Sequence, residues 1–302
     1  MWFGSTHRRL EPAPTARRRG APVRIIKPHQ TVVWLLNFED PLAATHHLDA
    51  LNHLRGETRS VLDKVQALSG KGVEFLADPD LPVLSTMHMA RDGAAYHIVR
   101  FNPNREPLDY FLVYQAGFLI RLFRCPADQR YDFTPAADAN LRMGRLIEES
   151  TRGQPAEQAG RTKVASMIAH WALMTLRSLP VGMRVDQWIA QEYPSLSGLQ
   201  HSGIAVQQQQ NVDALSLSFG DVPVPPILLG MYAAYAMFTD RMLGVRRYAL
   251  PYDAAGLGSA GETLLKVWDS VSAEPTADRN LVDSWASLLG LAGWYEWQPY
   301  RP

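Results

Sequence analysis

Hydrophobic and polar positions follow two different periods along this chain, and the change between them falls near residue 130. In the first part short apolar runs of strand length alternate with helical stretches. TVVWLLNF, beginning at Thr31, is a continuous apolar run that predicts a strand. Leu48, Leu51, Leu54, Val61, Val65 and Leu68 then recur at three- and four-residue spacing, which predicts a helix closed by Gly70 and Gly72. VEFLADPDLPVL, from Val73, reads as extended chain broken at its two prolines. AAYHIVRF, Ala94 to Phe101, follows the turn pair Asp92-Gly93 and is rich in β-formers, so it predicts a strand. NPNREP is its loop, and a helix runs from about Leu108 to Arg124, stopping before Pro126.

From Thr134 onward the period is almost entirely helical. Segments near 136–150, 156–178, 184–192, 195–216, 227–243, 260–272 and 279–290 carry apolar residues three and four apart, with Pro or Gly between most of them. No internal repeat is present, and Gln207 to Gln210 reads as a solvated helix face. The expected fold class is α+β, predominantly α, with a small sheet in the first part and a helical region after it. The expected organisation is a basic, Pro-rich disordered tail over 1–28, an α+β region over 29–130 and a helical region over 131–302. The pattern leaves open whether the last two share one core.

Composition narrows the classes of function. The 302 residues are 46% hydrophobic and 20% charged, with thirty basic and thirty acidic side chains, so the chain is not built chiefly to neutralise phosphates. A weak nucleic-acid contact through the arginine-rich tail is the exception that the charge distribution allows. The single cysteine, Cys125, builds neither an intrachain disulfide nor a Cys-rich zinc module, and a reducing, cytoplasmic location is the expectation. The first residues have arginines but no apolar core of a secretory signal. The longest apolar run, Ile227 to Phe238, is too short to span a bilayer, so no membrane role is expected.

The most specific signal is local. YHIVRFNPN, then Asp109-Tyr110, Gly117 and LIRLF (Leu119 to Phe123), all within about 73–126, resemble the IrrE-like (ImmA/IrrE) zinc metallopeptidase family. There such a strand and loop lead into a helix carrying HExGH followed by ILRLF. The resemblance implies a sheet packed on a zincin-like active-site helix, with His, Glu and His at positions 114, 115 and 118. This chain has Tyr114, Gln115 and Phe118 instead. Two histidines at i and i+4 aim both imidazoles at one ion, and the glutamate takes a proton from metal-bound water. Phenylalanine has no lone pair, a tyrosine with a pKa of about 10 is a poor substitute for imidazole, and glutamine accepts no proton. The implied protein is therefore a pseudoenzyme with no catalytic residues and no zinc. Tyr114, Gln115, Phe118 and His97 would line the former active-site groove, which would bind an unknown protein partner. The family implies a stress-response, phage-defence or toxin–antitoxin-like setting. The plainer alternative is an ordinary core helix.

Other constellations compete with this reading. A hydrolase with a relocated metal site would recruit His97, His170, Glu148 or Glu149, though no spacing supports it. His46, Asp49 and His53 fall on roughly one helix face, but i to i+7 spans about 10 Å. GLGSAG, Gly256 to Gly261, fits a dinucleotide-loop pattern without a clean strand before it and reads as a helix-capping loop. Cys125 has no base beside it and reads as a packing residue. Trp294, Tyr295, Trp297 and Tyr300 form either a clamp for the C-terminal segment or an aromatic contact surface, the clamp being the expected one.

Overall fold

A computed structural model of the chain describes residues 54–302, apart from 82–84, 105–106, 151–157 and 220–221. The basic tail, the strand expected at Thr31 and the His46, Asp49, His53 group lie outside the described residues. The architecture is α+β and predominantly α.

The first layer is a three-stranded sheet of β1 (Gly72–Ala77), β2 (Ser85–His88) and β3 (Tyr96–Phe101), in the order β1-β3-β2. β1 runs parallel to β3, with Phe75 beside Val99, and β2 runs antiparallel to it, with Met87 beside Val99. Two helices cover this sheet: α1 (Gly56–Ser69), ended by Gly70 at φ 70°, and α2 (Leu108–Arg124). Asp109, in the first turn of α2, accepts hydrogen bonds from the Thr58 hydroxyl and from the Arg55 N–H at 3.0 Å, so the two helices start from one carboxylate. α2 is buried from Tyr110 through Gly117, which marks a helix enclosed on all sides rather than one lying on a surface.

What encloses α2 is α4 (Gln158–Glu192), preceded by α3 (Ala139–Ser150). At 1.5 Å per residue α4 is about 50 Å long. Sequence periodicity divides it at Pro180, but the helix continues through. A proline inside a helix costs about 3 kcal/mol in an exposed setting, and tertiary packing overrides that here. The Pro180 carbonyl accepts the indole N–H of Trp268 at 2.9 Å. Ile168, Leu173 and Leu176 of α4 belong to the core of the helical half, whereas Val185 and Ile189 belong to the core under the sheet.

The helical half is completed by α5 (Ser197–Asp213), α6 (Pro226–Leu243), α7 (Leu250–Ala254), α8 (Gly258–Ser270) and α9 (Asp278–Leu288), with a minimal hairpin of β5 (Ser218–Phe219) and β6 (Val222–Pro223). α6 contains the long apolar run and is its central buried element. Among the described residues no helix is long and apolar enough to cross a membrane. GLGSAG follows helix α7, not a strand, and Gly261 packs α8 so closely on α6 that a Cβ there would lie 3.0 Å from the backbone of Ala233 and Ala234.

Two further strands, β4 (Tyr131–Pro135) and β7 (Tyr295–Pro299), pair antiparallel. Tyr295 stacks on Phe133 at 4.3 Å, and the Tyr295 hydroxyl and Trp297 indole both donate to Asp283. The C-terminal aromatics therefore clamp, as their composition suggests.

The expectation of a solvated face at Gln207 to Gln210 is corrected at two positions. Gln207 and Gln208 are buried, because their amides answer polar groups that α6 brings inside. Gln208 donates to the Thr239 hydroxyl at 2.6 Å, and Gln207 accepts from the Tyr235 hydroxyl at 3.0 Å. The same hydroxyl lies 3.2 Å from Asp186, which also accepts from Tyr110 at 2.7 Å and Gln200 at 3.3 Å. Asp186 is fully enclosed, and burial pushes its carboxyl up to about 7 against the pull of these donors.

That shift fixes a pH dependence. The folded chain holds the Asp186 proton between the unfolded value of about 3.9 and the folded value of about 7. Its stabilising contribution is fully present below the lower value and is lost as pH rises through the upper one. Asp186→Asn keeps the shape and removes the proton. In urea denaturation, the stability of the natural chain relative to this variant should fall between pH 5 and pH 8; a rise over that interval would contradict the assignment.

Candidate functional site

Three of the four predicted site residues come together. Tyr114, Gln115 and Phe118 of α2 line one cavity of about 70 Å³, closed on one side by β2 residues Ser85, Thr86 and Met87 and on the other by α4 residues Met174, Arg177 and Ser178. The i, i+4 spacing sends the Tyr114 and Phe118 rings to the same side, where they meet edge-to-face at 5.3 Å. Tyr110 extends this aromatic row, 5.8 Å from Tyr114. The Gln115 amide reaches the Ser85 hydroxyl at 3.5 Å.

Gly182 of α4 explains how Tyr114 is accommodated. A Cβ at this glycine would overlap the Tyr114 hydroxyl and lie 3.1 Å from Cζ and 3.5 Å from the Phe118 ring. One turn away along each helix, a Cβ on Gly117 would overlap Val185. The two helices thus meet where each has a residue without a side chain, and the aromatic ring of Tyr114 occupies the space left at Gly182. Burial holds the Tyr114 phenol well above its ordinary pKa, with the Asp186 charge adding to the effect, so it stays protonated.

His97 is elsewhere. It lies on β3, fully buried, edge-on to Phe123 at 5.4 Å near the far end of α2, and is not part of the cavity wall. Its Nδ1 accepts the Ala90 N–H at 3.1 Å, and burial, reinforced by Lys71, pulls it down to about 4. It is a neutral core imidazole. His170 on α4 is likewise pulled down by burial, while Glu148 and Glu149 are exposed on α3. Among the described residues no three His, Cys, Asp or Glu side chains converge as a metal site. Cys125 is buried, with its Sγ toward the Arg121 carbonyl at 3.5 Å, and burial followed by the Asp278 charge pushes its thiol up, which suppresses the nucleophilic thiolate.

Sequence reasoning missed the polar part of the wall. Arg177 reaches the cavity from the middle of the apolar helix α4, and its Nη1 is sealed from solvent without a hydrogen-bond partner. Thr86, also buried, has an unpartnered hydroxyl. A second cavity of about 120 Å³ adjoins the first, with Met89, Phe118 and Arg177 in the wall of both. The signal available was MTLRSLP itself, an arginine inside an apolar helical run with no acid three or four residues away to balance it.

Comparison with known proteins brings no relative to this geometry: no family model, no curated protein and no solved structure matches the chain.

The fit between Tyr114 and Gly182 can be tested by a double-mutant cycle. Gly182→Ala should cost about 1–3 kcal/mol, as overpacking does, and should cost less in a Tyr114→Phe background, where the overlapping hydroxyl is gone. Equal costs in both backgrounds would mean the two positions do not share this space.

Proposed function

We propose that this chain is a non-catalytic, metallopeptidase-like protein that acts by binding a protein partner at the cavity walled by Tyr114, Gln115 and Phe118. The observation that carries the reading is the convergence of those three side chains, singled out by the family resemblance, on a single cavity. At this place a hydrolytic zinc site would need imidazoles and a carboxylate, and the side chains supplied are a phenol held protonated, an amide and a phenyl ring.

The materials of the wall favour association over hydrolysis. Met87, Met89, Met174, Phe118 and Leu119 provide an adaptable, polarisable lining, and aromatic and methionine side chains are enriched at interface cores. The proposed setting is regulatory, in a stress-response, phage-defence or toxin–antitoxin-like system, with the chain in the cytoplasm. A relocated metal hydrolase gains no specific support from the placement of His97, His170, Glu148 and Glu149.

Zinc content by mass spectrometry on chelator-free protein, together with a peptide-library cleavage assay, tests the proposal. Less than about a tenth of an equivalent of zinc and an intact library are expected. One tightly held equivalent, with chelator-sensitive cleavage, would overturn it.

A further inference from the structure

The charge lining the two adjoining cavities is unbalanced. Their ionic side chains are Arg121, Arg177 and Arg279 against Asp278 alone. Arg121 is satisfied by a two-point pair with Asp278 at 2.6 and 2.7 Å. Arg279 lies over the Tyr131 ring at 4.6 Å and reaches Asp283 at 3.7 Å. Arg177 makes no hydrogen bond or ion pair with the described residues. The carboxylate whose charge it feels, Asp132, is engaged by Arg91 at 2.8 Å, leaving two guanidinium groups to one acid.

A guanidinium nitrogen sealed from water without a partner, as the Arg177 Nη1 is, is costly, because water is removed and nothing replaces it. Burial accordingly pulls Arg177 down to about 10, which still leaves it charged at neutral pH. Arg177 faces a small space with an unpartnered Thr86 hydroxyl and the Ser85 hydroxyl, and the rest of the wall is thioether, aromatic and aliphatic. One cation, a few hydroxyls and an apolar lining match a carboxylate attached directly to an apolar group. Cavities of about 70 and 120 Å³ have room for one side chain and its carboxylate.

In a polypeptide that combination occurs at the terminal residue, where a free carboxylate and an apolar side chain diverge from one Cα. Acidic side chains lack it, since their carboxylate tips a stem that leads straight back to the polar backbone. We infer that the cavity beside Tyr114 and Phe118 captures the C-terminal carboxylate of a partner chain ending in an apolar residue, with Arg177 and Thr86 on the carboxylate and Met89, Phe118 and Met174 around the side chain. The inference rests on the partner-binding reading above and specifies which part of the partner enters.

N-acetyl-leucine is the minimal probe, with N-acetyl-leucinamide as its uncharged match and hexanoate as a carboxylate that is not a peptide terminus. Binding is followed by nuclear magnetic resonance shifts of the methionine methyl groups and by titration calorimetry on the full chain. N-acetyl-leucine should shift the Met89 and Met174 signals and bind at least about tenfold more tightly than the amide, the least expected when a charged hydrogen-bonded pair is lost. Arg177→Gln should remove the difference between acid and amide, and Thr86→Val, which leaves the charge in place, should reduce it. Should Arg177→Gln fail to fold, the comparison of acid with amide on the natural chain and on Thr86→Val still decides. Equal binding of acid and amide, no shift with either, or hexanoate binding where N-acetyl-leucine does not would overturn the inference. A chain free of zinc that ignores N-acetyl-leucine loses this inference and keeps the non-catalytic reading, while a chain holding zinc loses the latter whatever the peptide result.

Discussion

Everything near the site depends on how closely α2 and α4 approach one another. Two glycines set that distance, Gly117 against Val185 and Gly182 against Tyr114 and Phe118. Because the helices meet at these points, the backbone of α4 lies directly against the Tyr114 and Phe118 rings. The same approach brings Val185 and Ile189 under the sheet and Arg177 into the cavity, so one helix joins two cores and forms one wall of the site. A helix crossing governed by small residues is stiff: neither partner can slide by a turn without driving a side chain into backbone.

Buried charge is handled in three different ways around this crossing. Asp186 is surrounded by two phenols and an amide that favour its charge, and burial outweighs them and eases it toward its neutral form. Asp278 is matched by Arg121 and, at 3.8 Å, by Arg184, whose guanidinium also donates to the Val271 carbonyl. Arg177 has neither arrangement. Buried polar groups that are fully partnered stabilise one particular packing, and the group that is not partnered is where the protein's own atoms fail to complete the chemistry.

The sequence foretold the helices of the second half because their apolar positions repeat over many turns, as in the run that becomes α6. Long α4 was read as two pieces because Pro180 is a local breaker, and only the packing on both sides of it shows why the helix survives. The strands β4 and β7 were not foreseen: five residues each, they pair across the whole helical half, and no local pattern announces a partner so far away. At the site, Tyr114, Gln115 and Phe118 were legible because a fixed i, i+4 spacing on a helix survives folding. His97 was grouped with them although it is adjacent only in sequence-level resemblance, and the strand that bears it places it beside Phe123. Arg177 and Gly182 were not legible, since their meaning comes from an opposite helix.

The pairing of β4 with β7 also orders events in time. Tyr131 leaves the ribosome about 170 residues before Pro299, its partner in the ladder, so this two-stranded sheet forms only after the helical half has been made, and such distant pairing is slow to nucleate. Until then Phe133 lacks the Tyr295 ring stacked on it, and Ala90, beside His97, lacks the Tyr300 hydroxyl that its carbonyl accepts. The strand Tyr295–Pro299 is a latch: it can close on β4 only after every residue of the cavity wall has been made.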